Sequence, residues 1–414
     1  MEYKVVIIGN SFTSRLAVIR ALANMGCEIT VVCIGFYPEL QRGVMPPTPA
    51  DCYSRYVCRY LFFERKEGRD GLVRLLLNEC ADPKGQVLLI PTSDFSVVAI
   101  DANQHLLEKS FVFPHIQHEE GAIERWMNKE LQKTQARKAG LTAPDSIVMN
   151  VTNNIYQIPK GIHFPCFTKP LASIGGGKQC QRRCNTYEEL QDVLKKAERL
   201  GITELLVEDF IHIDTEYAVL GWSDGKDVII PSVLSFIEGS KAHRGIAMLG
   251  RVMPVVGFES LLVQFKSLIK SIGYIGIFDI DFFESNGVFY FAEINFRIGG
   301  SCHAVTAAGV NIPAMMVGNM MNQASVGDIN PISRTYTFVN ERMCLDDFFQ
   351  GYISSSSYHR FINSADISFV TDAEDPIPAE AFKREFNGKL FSLKRIVKRI
   401  NRLMKNEAFC YHNR

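Results

Sequence analysis

Hydrophobic positions at the start of the chain fall in short unbroken runs separated by turn residues. Lys4-Val-Val-Ile-Ile-Gly9 reads as a buried strand, residues 13–25 as a helix, and Glu28-Ile-Thr-Val-Val-Cys33 as a second strand. This β-α-β order predicts parallel pairing in a three-layer α/β domain. A further strand, Val87-Leu-Leu-Ile-Pro91, ends in Thr92-Ser93-Asp94. Ligands of parallel sheets gather at the carboxyl ends of strands, which makes Asp94 a candidate substrate residue. A cap on the following helix is the competing reading. The turn Gly9-Asn-Ser-Phe-Thr-Ser lacks the full G-x-G-x-x-G fingerprint of a dinucleotide site.

The pattern changes over residues 278–303. Phe278-Asp-Ile-Asp-Phe-Phe283 and Val288-Phe-Tyr-Phe-Ala-Glu-Ile-Asn295 flank the turn Glu284-Ser285-Asn286-Gly287 and read as a hairpin. With a period of two, Asp279 and Asp281 share one face, and Glu293 and Asn295 share one on the return strand. Carboxylates in apolar strands are costly unless compensated. An all-oxygen set of Asp281, Glu293 and Asn295 suits a hard cation, with magnesium (or manganese) the candidate metal. Arg297 is placed to meet a phosphate or an anionic intermediate with its planar fork. Taken alone, the hairpin also fits a half-exposed ladder whose acids face water.

Four segments, in order, resemble the ATP-grasp ligases. Phe291-Ala-Glu-Ile-Asn-Phe-Arg297 matches their E-x-N-x-R strand, with Asp281 where the first metal-binding acid stands. Upstream, Asn128-Lys129 through Gly140-Leu-Thr-Ala-Pro144 resembles the family's lysine helix. Phe164-Pro-Cys-Phe-Thr-Lys169-Pro, followed by Ser173-Ile-Gly175-Gly176-Gly177-Lys178, resembles the strand and phosphate loop. Leu205-Leu-Val-Glu208-Asp-Phe210-Ile211, with Glu216 beyond, resembles the interlobe hinge. The resemblance implies that Lys129 and Lys169 bind the phosphates of ATP and that the glycine loop folds over them. It places the adenine edge on Glu208, Phe210 and Ile211, and the ribose on Glu216. Lys129 and Arg297 become the catalytic pair. The hinge has Asp209 where a lysine is common, and Phe296 stands where proline or threonine is usual, so the subgroup stays open.

The fold so implied is α/β: a parallel-sheet domain over residues 1–112, a two-lobed α+β ATP-grasp fold over 113–325 with its small lobe at about 145–212, and a C-terminal extension over 326–414. The implied activity is ADP-forming activation of a carboxylate as an acyl-phosphate and its joining to an amine, as in the carbamoyl-phosphate-synthase-like branch. A carboxylating or formyl-activating relative and a non-catalytic nucleotide-binding module are the alternatives. No Met-Lys-Met biotin-attachment sequence is present.

At 414 residues the chain exceeds one typical domain. Acids and bases balance at 45 each, so nothing electrostatic points to nucleic acid. The opening residues enter a strand directly and no apolar run reaches transmembrane length, which predicts a cytoplasmic protein. Eleven cysteines without a C-x-x-C pair predict reduced thiols, despite the metal-like spacing of Cys180 and Cys184.

The polar loop between predicted strands Val228–Leu234 and Arg251–Val256 supplies Lys241, Arg244 and Arg251 as further substrate candidates, joined by Ser301 and His303. Near the end, Leu393, Ile396, Val397, Ile400, Leu403 and Met404 recur at helical spacing among lysines and arginines. Such a basic amphipathic helix over 391–404 either docks on the protein or lies on an anionic membrane. The expected substrates are a small carboxylate and an amine, and a homodimer is allowed.

Overall fold

The computed structural model describes residues 3–37, 39–40, 43–151, 161–172, 178–243, 245–321 and 332–390, the last five as backbone only. Three sheets organise the chain. The first is fully parallel, in the order Val57–Glu64, Cys27–Gly35, Tyr3–Gly9, Val87–Pro91, Phe111–Val112. Its order reverses between Tyr3–Gly9 and Val87–Pro91. The carboxyl ends of these two neighbours therefore open a crevice holding Asn10-Ser11 and Thr92-Ser93-Asp94. The two strand ends approach so closely that a Cβ at Gly9 would lie 2.0 Å from Thr92 Oγ1.

The second sheet is antiparallel, in the order Ser146–Asn150, Glu204–Asp209, Cys166–Pro170, Arg182–Cys184. The helix Tyr187–Arg199 covers it. Thr186 caps that helix, and Leu190, Val193, Leu194 and Ala197 form its buried stripe. Together they make a small lobe with its own core of Met149, Cys166, Cys184, Leu205 and Val207.

The third sheet runs Val288–Asn295, Tyr274–Ser285, Thr215–Asp224, Val233–Gly239, Ala247–Met253, Tyr336–Val339, Ile367–Ser368. His115–Ile116 pairs with Tyr274–Ser285, so the chain enters this sheet directly after the last strand of the first. Its two faces have different partners. Phe278, Ile280 and Phe282 pack under the helix Glu259–Ile272 with Phe265 and Ile269. Ala218, Leu220 and Ile277 join a core that includes Val5, Val31, Val305 and Met316, reaching the N-terminal sheet. Asp279 and Asp281 pair with Leu220 and Ala218, so the acids lie on the second face, toward the N-terminal sheet.

The predicted strands around residue 230 are displaced. Pro231 offers no N–H to the ladder and splits that run into Val228–Ile229 and Val233–Gly239, while the second strand is Ala247–Met253, just before Pro254. The C-terminal segment contributes two strands to the large sheet as well as helices, a pairing its sequence pattern did not announce. The amphipathic stretch 391–404 lies outside the described residues. Among the described residues no helix is long and apolar enough to cross a membrane.

Candidate active site

The hairpin is built by its turn and corrected by a bulge. Asn286 and Gly287 take left-handed φ of 50° and 76°, the two-residue turn that Asn-Gly favours. This sets Ser285 opposite Val288 and Phe283 opposite Tyr290. Continued unbroken, the register would place Asp281 opposite Ala292. A bulge there instead pairs Asp281 with Glu293 and Asp279 with Asn295. The extra residue turns Glu293 away from the apolar face and onto that of the aspartates.

Two cations, Lys129 and Arg297, reach this oxygen set. Lys129 Nζ lies 2.6 Å from Glu293 Oε2. Asn295 Nδ2 donates to Asp281 Oδ2 at 3.1 Å. Arg297 donates from Nε to Asp94 Oδ1 at 2.5 Å and from Nη2 to Asn295 Oδ1 at 3.3 Å. Asp94 is therefore not the helix cap. Ser93 caps that helix in a capping box with Ser96, while Asp94 ties the N-terminal sheet to the hairpin arginine. Asp279 Oδ1 has no hydrogen-bond partner among the described residues. Its other oxygen is pressed against Gly299, where a Cβ would come within 2.2 Å.

Crowding of acids sets the electrostatics. Burial, with Asp279 and Glu293 beside it, drives the Asp281 carboxyl well above its ordinary range. Burial also lifts Asp279 to about 6, against the pull of Arg297. For Glu293 the same burial is overcome by Lys129, Lys169 and Arg297, which hold it below its usual value. A cation at this point relieves the excess charge. Two carboxylates and an amide oxygen suit magnesium, whose remaining positions go to water and phosphate oxygens. Among the described residues no three His, Cys, Asp or Glu side chains form a cage by themselves. A site completed by a nucleotide needs none.

The opposite wall is a helix with a polar buried stripe. Asn128 caps Lys129–Lys138 by accepting from the N–H groups of Glu130 and Leu131. The buried positions are Lys129, Gln132, Lys133 and Ala136, the i, i+3, i+4, i+7 face of a helix. Lys133 is fully buried and its ammonium is hydrogen-bonded to Glu208 Oε2. Lys169 Nζ holds the other oxygen of Glu208 at 2.9 Å. Two lysines thus share one carboxylate at the edge of the small lobe. Burial first, then Lys169, lowers the Lys133 ammonium to about 8 against the attraction of Glu208. Burial alone would raise Glu208, but Lys169 and Lys133 keep it below its ordinary value.

Gln132 fastens this helix to the hairpin. Its side chain accepts from Ile294 N at 2.8 Å and donates to Ile294 O at 3.0 Å. Val288–Asn295 is the edge of its sheet, so these are ladder groups no strand satisfies. Gln132→Leu leaves both buried and unpaired. It is expected to cost about 2–4 kcal/mol in urea unfolding, and an unchanged midpoint would remove Gln132 from this role.

One cavity of about 610 Å³ joins the aspartate face of the hairpin to the N-terminal crevice. Asp94, Asp279, Asp281, Asn295, Arg297 and Ser301 line it together. Glu216 stands two pleats from Ala218 on the acid face, opposite Phe283. It is exposed, though the protein around it raises its carboxyl. At the hinge, Phe210 N donates to Pro165 O at 3.1 Å and its ring lies under Arg183. Ile211 is half-buried beside it. Lys241 and Arg251 are exposed and absent from the cavity wall, the first giving its backbone N–H to Asp347 at 2.7 Å. His303 lines a separate, shallower pocket of about 440 Å³ with Arg334 and Asp372. Arg244 and Gly175, Gly176 and Gly177 fall outside the described residues.

Sequence reasoning missed Lys133 and Gln132. A signal was present: a helix with almost no apolar stripe must bury polar groups, and polar groups are buried where something pairs with them.

Buried lysines paired with Glu293 and Glu208, strand acids on an antiparallel hairpin and an antiparallel small lobe beside them mark an ATP-grasp fold. Residues 134–313 match the family model described as the ATP-grasp domain. Among curated proteins, the carbamoyl phosphate synthase large chain of Gemmatimonas aurantiaca is 25% identical over 213 residues, half of this chain and 19% of that one. The formate-dependent phosphoribosylglycinamide formyltransferase of Nitratiruptor is 25% identical over 211 residues, 49% of this chain and 52% of that one. The chain thus spans from about a fifth to about half of these relatives. Solved structures agree in fold over 81% of the chain. N5-carboxyaminoimidazole synthetase from Staphylococcus aureus, complexed with ADP, gives a TM-score of 0.61 at 16% identity and 82% of its own length. L-amino acid ligase from Bacillus licheniformis gives 0.61 at 16% and 80%.

Proposed function

We propose that the protein is an ATP-dependent carboxylate-amine ligase that forms ADP, phosphate and a new C–N bond. The observation that supports this best is the bulge-set pairing of Asp281, which lines the cavity beside the Arg297 fork, with Glu293, which meets Lys129. Asp281, Glu293 and Asn295 would hold magnesium or manganese, which when bound neutralises phosphoryl oxygens. Lys129 and Lys169 are the candidates for the nucleotide phosphates, with the buried Lys133 sharing Glu208 with Lys169. Glu216, on the same face farther along the strand, is the candidate for the ribose hydroxyls.

The substrate carboxylate attacks the γ-phosphorus in line, the bond to the β-phosphate oxygen breaks, and ADP leaves. The amine then attacks the acyl carbon of the acyl-phosphate. The C–O bond to phosphate breaks with its electrons, and the ammonium proton is released. Arg297, held by Asp94, presents its guanidinium to the charge that develops on that carbon's oxygen. Catalysis is mainly placement and electrostatics, so a nucleophilic serine or cysteine is not called for.

Phosphate release from ATP and magnesium is expected only when both a carboxylic acid and an amine are supplied. A panel of acids and amines that includes bicarbonate and formate tests this. Release with bicarbonate or formate in place of the larger acids would assign the protein to the carboxylating or formyl-activating reading instead.

A further inference from the structure

An amine attacks through its lone pair, so the ammonium form that predominates near neutral pH must first give up a proton to some group at the site. The carboxylates of the cavity are engaged. Asp94 holds Arg297, Asp281 is a proposed metal ligand, and Asp279 has one oxygen buried from solvent and the other against Gly299. Among the described residues His243 is the one histidine that lines this cavity, and imidazole is the side chain that exchanges a proton near neutrality.

His243 is anchored twice by the helix Glu341–Phe349. Its Nε2 lies 2.9 Å from Asp346 Oδ2, an oxygen that Arg342 Nε approaches to 3.9 Å. A carboxylate there fixes Nε2 as the protonated nitrogen and leaves the Nδ1 lone pair as the acceptor. The loop itself is held by the next residue of the helix. Asp347 is fully buried and accepts from Ser240 Oγ at 2.6 Å, from Lys241 N at 2.7 Å and from Ala242 N at 2.9 Å. Ser240 Oγ in turn accepts from His243 N at 3.0 Å. A buried carboxylate is costly unless paired, and these partners belong to the few residues that carry the imidazole. The ring stays reachable, with its side chain 37% exposed. Asp281 pairs with Ala218 and Ala218 with Leu234, which places Leu234 two strands, about 10 Å, from the metal acids on one face. That strand ends at Gly239, and the loop beyond it brings His243 to the cavity that Asp281 and Arg297 line.

We propose that His243 is the general base of the amide-forming step, with Asp346 and Asp347 as positioning residues for its ring and its loop. This rests on the ligase reading and supplies the proton acceptor. Nδ1 removes a proton from the ammonium, and the freed lone pair forms the C–N bond. Phosphate leaves with the electrons of the C–O bond and takes the second nitrogen proton. The imidazolium returns its proton to water when the product departs.

Hydroxylamine separates the two halves of the reaction, because it is neutral near pH 7 and traps an acyl-phosphate as a hydroxamate without a base. The full chain is assayed with ATP and magnesium, with the standard amino acids, acetate and formate as acids and the same amino acids and ammonia as amines. H243Q is expected to lower kcat for amide formation about a hundredfold or more, with the amine KM and the rate of hydroxamate formation within about threefold of wild type. D346N, whose amide can donate to Nε2 and hold the wrong tautomer, should lose about tenfold or more in the same one-sided way. ADP affinity should be unchanged in both. Amide formation that survives H243Q, an equal loss of amide and hydroxamate, or a loss confined to the amine KM overturns the assignment and leaves the ligase reading in place. If the wild type forms neither amide nor hydroxamate with any acid, the ligase reading falls and the base with it.

Discussion

Asp281→Asn is expected to reduce turnover about a thousandfold or more, equivalent to about 4 kcal/mol of transition-state stabilisation, while leaving the fold at least as stable as before. The two effects separate because of how Asp281 sits. Its carboxyl is buried beside Asp279 and Glu293 and pushed well above its ordinary range, so its negative charge is a burden in the unliganded protein. An asparagine keeps the shape and removes the repulsion. It also removes one of the three proposed metal ligands. Glu293→Gln should lose turnover to a similar degree but also lose stability. Glu293 is the carboxylate 2.6 Å from Lys129, whose side chain is 6% exposed, and an ammonium left there without it costs on the order of 2 kcal/mol. Phosphate release and urea unfolding on both variants check this. Equal destabilisation of the two, or turnover surviving in Asp281→Asn, would remove the hairpin from the catalytic machinery.

The second large effect is expected at Lys133. Lys133→Met breaks a buried ion pair from one side and leaves Glu208 with Lys169 alone. Removing one partner of a buried pair typically costs about 3–5 kcal/mol. The double variant Lys133→Met with Glu208→Gln should regain much of that stability. The double variant should not regain full nucleotide affinity, because the positive charge that Lys133 adds beside Lys169 is gone. In the wild type the same residue predicts a pH dependence. Lys133 loses its proton near pH 8 in the free protein, whereas a bound polyanion favours the charged form. Binding above that pH must therefore take up a proton, and ADP affinity should fall as pH rises through about 8, by up to tenfold per unit. ADP titrations from pH 7 to 9.5 measure this. The slope should vanish in Lys133→Met, and a slope that persists there would assign the titration to another group.

How much was readable beforehand differs by element. Asp281, Glu293, Asn295 and Arg297 were legible because strand acids in an apolar context are rare and their order matched a known pattern. Their convergence on one face is correct, but the simple two-residue period does not deliver it. The Asn286-Gly287 turn alone would have faced Asp281 with Ala292, and the bulge repairs this. Lys129 was legible as the lysine at the head of a helix, whereas Lys133 looked like another surface lysine. Only the packing of that helix under the small lobe buries it. Lys241 and Arg251 were chosen for their charge, whereas His243, Gly245 and Ile246 of the same passage line the cavity, because the path of the backbone decides which residues of a loop reach it.

The sequence by itself determined the local elements and the identity of the oxygen set. Turn chemistry, strand period and apolar runs are fixed within a few residues of one another along the chain. Tertiary structure alone decided that Asp94, more than two hundred residues upstream, grips Arg297, that Gln132 seals the hairpin edge, and that His243 lines one cavity with Asp281 and Arg297. Such meetings depend on how separately folded sheets dock, and docking is set by the summed shape and burial of many residues rather than by a short motif.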